Sequence, residues 1–232
     1  MQLTWLGHSA FRIDFGAAKI LIDPFLRGNP KFELDFDAVT AGATHVVITH
    51  GHDDHIGDAA EIAQKTGAEV IANFEICMYL AGQGVENINP GNTGGTIRAQ
   101  GFSVALTPAL HSSSATVDGK PTALGNPNGA VILPDSGPRL YHFGDTAVFS
   151  DMALIHEFYR PEIGLIPVGD RFTMGGKAAA LAARRYFAFS DIVPMHYGTF
   201  PIIDPTPQAF IDAMTGARAT IHTPAIGETL TL

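Results

Sequence analysis

Apolar and polar positions alternate with two different periods along this chain of 232 residues. Residues 2–6, 10–15 and 19–22 are short apolar runs, and the first two gaps between them carry glycine, so they predict three strands of an antiparallel meander. The period then changes. Val46-Val47-Ile48 is a β-branched run that predicts a buried strand, and residues 59–66 predict a helix stopped by Gly67. Asp58, with Glu61 three residues on, predicts the cap of that helix. A strand at 70–72 and a helix at 75–81 continue the alternation, which belongs to α/β architecture. The same succession then recurs. Strands are predicted at 96–99, 102–107, 130–133 and 140–143, followed by a helix at 152–158, a strand at 163–168, a helix at 177–187 and a strand at 191–194. A helix at 208–214 and strands near 220–221 and 228–230 close the chain. Two strand-rich openings, each followed by helix–strand alternation, predict a mixed α/β (α+β) fold in two halves. Residues 26–36 and 112–129 follow neither period. The first is a polar and aromatic loop that could shape access to a site or simply cover the core. The second, rich in Gly and Pro, predicts a long surface loop of the kind that often carries function.

Composition narrows the picture. An apolar share of 46% can build a sizeable core, and no Ser/Pro/charge-rich linker divides the chain, so residues 1–232 are expected to form one domain. The net charge of −9 disfavours a nucleic acid partner, whose phosphates need a basic surface. Cys77 is the single cysteine, which excludes an internal disulfide and a thiolate metal cage. No apolar stretch approaches bilayer length and the N-terminus reads as strand from residue 2, so no membrane role and a cytoplasmic location are expected.

The chemistry gathers just after Val46-Val47-Ile48, in Thr49-His50-Gly51-His52-Asp53-Asp54-His55. His50 and His52 point to the same side of an extended chain. The turn that follows lets Asp54 and His55 diverge toward different centres, an arrangement suited to two metal ions side by side. Imidazole and carboxylate ligands favour zinc, then manganese, iron or nickel, over magnesium or calcium. Asp145 lies at a predicted strand end after Gly144, well placed to bridge two ions. His142, His45, His156 and His222 lack any such context and read as structural.

The pattern His-X-His-X-Asp-His at His50, His52, Asp54 and His55 resembles the signature of the metallo-β-lactamase superfamily. Gly7-His8-Ser9, Gly144-Asp145-Thr146 and Pro194-Met195-His196-Tyr197 resemble a branch of metal-dependent hydrolases related to the ascorbate-6-phosphate lactonases. The resemblance covers nearly the whole chain. It implies a four-layer αβ/βα sandwich of two mixed sheets with outer helices, and ligands converging from both halves on one edge. By the family pattern His50, His52 and His111 hold one divalent ion, Asp54, His55 and His196 the other, and Asp145 bridges them. A hydroxide activated by both ions would then attack a small ester, lactone or phosphate ester, with Asp54 and His8 in the catalytic pocket. His8 is expected to line that pocket, touching substrate or water. Asp23 is expected to accept the free N–H of a ligand imidazole, which fixes its tautomer. Asp170, at another strand end, is expected at or just behind the site rather than in a surface pair with Arg171. The expected partner is a small molecule, with a homo-oligomer compatible. A phosphodiesterase or nuclease of the same fold is the alternative, as is a metal-binding sensor without turnover.

Overall fold

The computed structural model describes residues 1–232. The first half builds a seven-stranded sheet from β1 (Gln2–Gly7), β2 (Ala10–Phe15), β3 (Ala18–Ile22), β4 (His45–Val47), β5 (Glu69–Asn73) and β6 (Ile88–Gly91), completed at its edge by the C-terminal β16 (Thr229–Thr231). Helices α1 (Phe36–Thr40), α2 (Asp53–Ile56), α3 (Ala59–Thr66) and α4 (Phe74–Gly82) fall between these strands. The second half gives another seven-stranded sheet, from β7 (Thr96–Ala99), β8 (Phe102–Pro108), β11 (Asn128–Pro134), β12 (Leu140–His142), β13 (Ile163–Pro167), β14 (Asp191–Met195) and β15 (Thr220–Ile221). With it come α5 (Met152–Tyr159), α6 (Gly176–Tyr186) and α7 (Gln208–Ala213). A two-stranded ribbon, β9 (Ser114–Val117) and β10 (Lys120–Ala123), stands apart.

Both sheets are mixed for the same reason. Tight turns join β1, β2 and β3 antiparallel, whereas helical crossovers make β3, β4 and β5 parallel. In the second sheet β8, β11 and β12 alternate in direction, and β12 to β15 run parallel. It follows that β1, β3 and β4 share one direction, as do β8, β12, β13 and β14. Their carboxyl ends therefore open on a common edge within each half, which is where α/β sheets place their sites.

The packing explains the unbroken apolar runs. Val47, Phe11 and Ile22 of the first sheet meet Val104, Ile132 and Leu165 of the second in a shared core. Val46 and Ile48 face the other way, against Ile62, Ile76 and Leu80 of α3 and α4. Ala105, Val131 and Ile166 likewise meet Ile155, Ala179 and Phe210 of α5, α6 and α7. Strands covered on both faces lose the polar alternation of a half-exposed sheet. The result is the expected helix–sheet–sheet–helix sandwich.

Two local expectations are corrected, the cap of α3 and the plain loop at 112–129, and the two readings of residues 26–36 are narrowed to one. Asp58 does not cap α3 with its side chain; its carboxylate accepts the backbone N–H groups of Leu26 and Arg27 at 2.9 and 3.0 Å. Glu61 pairs with Arg27 instead of closing a capping box. Those contacts clamp the 26–36 loop down, with Leu26 buried and Phe32 and Leu34 packed on the first helical layer, so the loop is cover. Residues 112–129 are not a plain loop, since β9 and β10 pair through a two-residue turn at Asp118 and Gly119 with φ of 50° and 74°. Helix α1, capped by Asp35 on the N–H of Ala38, and the edge strand β6 were not foreseen. No helix is long and apolar enough to cross a membrane.

Candidate metal centre

Loops leaving the carboxyl ends of β1, β3, β4, β8, β12 and β14 bring His8, Asp23, His50 to His55, His111, Asp145 and His196 together. Cross-loop hydrogen bonds fix their relative positions. The His196 N–H donates to the His8 carbonyl at 3.0 Å, tying the edges of the two sheets together, and Asn128 N–H donates to the Thr49 carbonyl at 3.1 Å. Two glycines permit the close approach. A Cβ on Gly169 would lie 1.9 Å from the His196 carbonyl, and one on Gly144 would lie 2.4 Å from that of Asn128. His8, Asp23, Asp170, Arg171 and His196 all have φ between 46° and 60°. Such conformations are costly for residues with a side chain and concentrate where a site over-determines the backbone.

Two groups of four donors emerge, and Asp23 makes a third, smaller set with His50 and His55. His50, His52, His111 and Asp145 form one; His8, Asp54, His55 and His196 form the other; within each, the donor atoms lie within 4.8 Å of one another. In the first, His52 Nδ1 stands 3.1 Å from His50 Nε2 and 3.2 Å from His111 Nε2. Asp145 lies between the groups. Its Oδ2 is 3.0 Å from His196 Nε2 and 3.6 Å from His111 Nε2, and its Oδ1 is 3.3 Å from His55 Nε2. Despite those distances, His55 Nε2, His196 Nε2 and Asp145 Oδ1 are buried with no hydrogen-bond partner. Buried polar atoms are rarely left so. Donor atoms that crowd together without hydrogen-bonding direction fit divalent cations placed between them.

The ligand-like imidazoles are held from behind. Asp23 Oδ2 lies 2.8 Å from His55 Nδ1 and accepts the Thr49 hydroxyl at 2.6 Å, while its Oδ1 accepts the Thr49 N–H. Thr49 Oγ1 in turn stands 3.0 Å from His50 Nδ1. Ser112 Oγ contacts His52 Nε2 at 3.1 Å, which leaves Nδ1 facing the group. Asp23 thus stands where the sequence reading expected it. Thr49 and Ser112 were missed as tautomer-fixing partners, although Thr49 adjoins the motif.

His8 requires a correction. Its side chain is sealed from solvent and does not line the cavity. Nε2 faces Asp54 Oδ2 at 3.1 Å and Nδ1 faces Thr199 Oγ1 at 2.9 Å, and the ring packs on His196 with centroids 4.0 Å apart. It steadies Asp54 instead of reaching a substrate. Asp170 is exposed and outside both donor groups; it forms no ion pair with Arg171 and touches no ligand-like imidazole. His142 is structural as expected, lying 2.9 Å from the Ser9 carbonyl and accepting the Gly144 N–H.

Electrostatics prepares the two groups differently. Burial, then the charge of His55, holds His50 well below the usual imidazole range, and burial also lowers His52 and His111. The imidazoles of the first group are therefore held toward the neutral form, the one that ligates. His8 is pushed down to about 4 by burial and by His196, so its neutral ring can donate to Asp54. Burial would lower His55 too, but Asp145 and Asp23 outweigh it and raise this imidazole well above its usual range. Burial alone would raise Asp145 and Asp54; neighbouring histidines reverse this and hold both carboxyls low, as carboxylates.

A cavity of about 460 Å³ opens over the groups, floored by His52, Asp54, His111, Asp145 and His196. Known proteins resemble this chain over most of its length. A family model described as a beta-lactamase superfamily domain matches residues 2–196. The chain is 62% identical over 227 residues to a UPF0173 metal-dependent hydrolase of Methylocella silvestris, covering 98% of each. It is 56% identical over 229 residues to one from Sinorhizobium medicae, again covering 98% of each. Among solved structures, Igni18, a metallo hydrolase from the archaeon Ignicoccus hospitalis, superposes with a TM-score of 0.87 at 38% identity, over 99% of this chain and 97% of that one. The chain belongs to the metallo-β-lactamase superfamily. Within it, the chain is one of the UPF0173 metal-dependent hydrolases.

Proposed function

We propose that this enzyme hydrolyses a small ester, lactone or phosphate ester, using two divalent cations held side by side. His50, His52 and His111 would hold one ion and Asp54, His55 and His196 the other, with the Asp145 carboxylate available to both. Zinc suits this donor set best, with manganese, iron and nickel following. The observation that carries the reading is the gathering of two donor groups about Asp145, with His55 Nε2, His196 Nε2 and Asp145 Oδ1 buried and free of hydrogen bonds. When bound, such a pair supplies an acidified water and a polarised scissile oxygen; a single zinc ion already brings the pKa of water to about 7.

The chain's own residues do the rest. Asp23, Thr49 and Ser112 hold three imidazoles in the tautomers that point inward. His8 donates to one oxygen of Asp54 and leaves the other free. The floor is accessible through a small cavity, suited to a small molecule in the cytoplasm and not to a nucleic acid strand, whose phosphates find no basic groove here. Turnover of lactones, esters and phosphodiesters by metal-free and by zinc- or manganese-loaded protein tests the reading. Hydrolysis by the loaded forms alone is the expected result. Equal turnover by metal-free protein would overturn it, and two tightly bound ions without turnover of any substrate would favour a sensor.

A further inference from the structure

We propose that the substrate carries an uncharged apolar group, aromatic or branched aliphatic, which seats against Phe172, Phe200 and Ile202 while its hydrolysable bond faces Asp145. This rests on the hydrolytic reading above and names the kind of substrate it takes.

The cavity is divided by polarity. Imidazoles and carboxylates form its floor, with Ser112 on one side, whereas Phe172, Phe200 and Ile202 gather on the other. Phe172 and Ile202 are 51% and 55% exposed, and apolar surface left in water is unfavourable. They arrive from separate loops, after β13 and after β14, so chain proximity alone does not explain their meeting. Phe200 is braced from behind, with its ring 5.5 Å from that of His8 and 6.3 Å from that of Phe25. Phe172 is delivered by two successive left-handed residues, Asp170 and Arg171, at φ of 58° and 52°. A backbone so costly, ending in an exposed aromatic ring over a reactive floor, fits a surface kept for a ligand.

Charge points the same way. No Lys or Arg lines the cavity. The nearest candidate by sequence, Arg171, has its guanidinium 5.7 Å from the Phe172 ring and does not line the cavity. A substrate with a second anionic group away from the ions would find no partner and would lose its hydration. The volume of about 460 Å³ lies toward the small end for ligand sites and admits a ring-sized substituent beside the reacting group.

The test uses zinc-loaded protein and hydroxamates, which bind metal ions, in isothermal titration calorimetry. Benzohydroxamate is expected to bind about tenfold more tightly than acetohydroxamate, as burial of a ring requires. 4-Carboxybenzohydroxamate is expected to lose that advantage. In the double variant Phe172→Ala/Ile202→Ala the benzo-to-aceto ratio should fall to about 1, with zinc content and acetohydroxamate affinity unchanged. Both side chains are exposed, so folding is not at risk. Equal affinities in the parent, or a ratio that survives the double substitution, would overturn the apolar wall while leaving the metal reading intact. Binding of neither hydroxamate would overturn both.

Discussion

Asp23 illustrates how much one buried carboxylate can organise. Fully enclosed, it accepts from Thr49 twice and faces His55 Nδ1, so a single side chain sets the orientation of one imidazole directly and of His50 through Thr49. Asp23→Asn keeps the shape but cannot accept at both oxygens, and its amide would oppose a donor. Metal affinity and activity should each fall 10–100-fold, checked by competition with a chromogenic chelator and by initial rates. An Asn variant that bound metal like the parent would remove Asp23 from this role. His8 acts on the other group. Without its N–H, Asp54 loses the contact that orients it, so His8→Ala should weaken the second ion about tenfold while the first remains bound. Stepwise loading followed by calorimetry separates the two; equal loss at both sites would contradict the assignment.

At the scale of elements, the site depends on loops that pass unusually close. The loop after β13 lies against the His196 carbonyl because Gly169 has no side chain. Gly169→Ala forces one of them to move and should cost about 3 kcal/mol of stability together with metal affinity, read by denaturant unfolding and metal content. Unchanged stability would show that the loop yields freely. The elements also show what a sequence can and cannot reveal. Strands buried on both faces and helices with a clear apolar stripe were readable from periodicity, and the His50–His55 motif stood out because its residue types carry chemistry by themselves. The ribbon β9–β10 was hidden because every residue of β10 is exposed, so no apolar alternation marks it, yet the Asp118-Gly119 turn was the available signal. Asp58 had the right spacing for a cap, and only the distant 26–36 loop, invisible locally, diverted its carboxylate. The apolar wall of Phe172, Phe200 and Ile202 assembles residues from two loops and left no local trace. His8 was found as a motif, but the direction of its ring depends on Thr199, 191 residues away.

For the whole molecule, buried imidazoles couple the fold to pH. His8, His50, His52, His111 and His142 all have lowered affinity for protons in the fold, chiefly through burial. The unfolded chain takes up these protons near pH 6.5, whereas His8 in the fold resists until about 4. Stability from these groups is therefore complete above pH 6.5 and drains away as pH falls toward 4. His55 has the opposite sign: its raised value contributes below pH 6.5 and is lost as pH rises through that value, offsetting only part of the trend. Metal-free protein should thus lose thermal stability on acidification from pH 7 to 5, followed by melting curves. A melting temperature that rises over that range would contradict the sign. Zinc should add stability at pH 7, because ions bind the folded state and require neutral imidazoles.

The central claim is a two-ion centre spanned by Asp145, and counting ions tests it most directly. Metal-free parent protein and the Asp145→Asn variant are each loaded with zinc, dialysed and analysed for metal per chain. An amide removes the negative charge between the cations, which stand about 3.5–4 Å apart in such sites, so the second ion should be lost while His50, His52 and His111 keep the first. The account predicts two ions per chain in the parent and about one in the variant, each protein remaining folded. One ion in the fully active parent, or two held with parental affinity by Asp145→Asn, would contradict it.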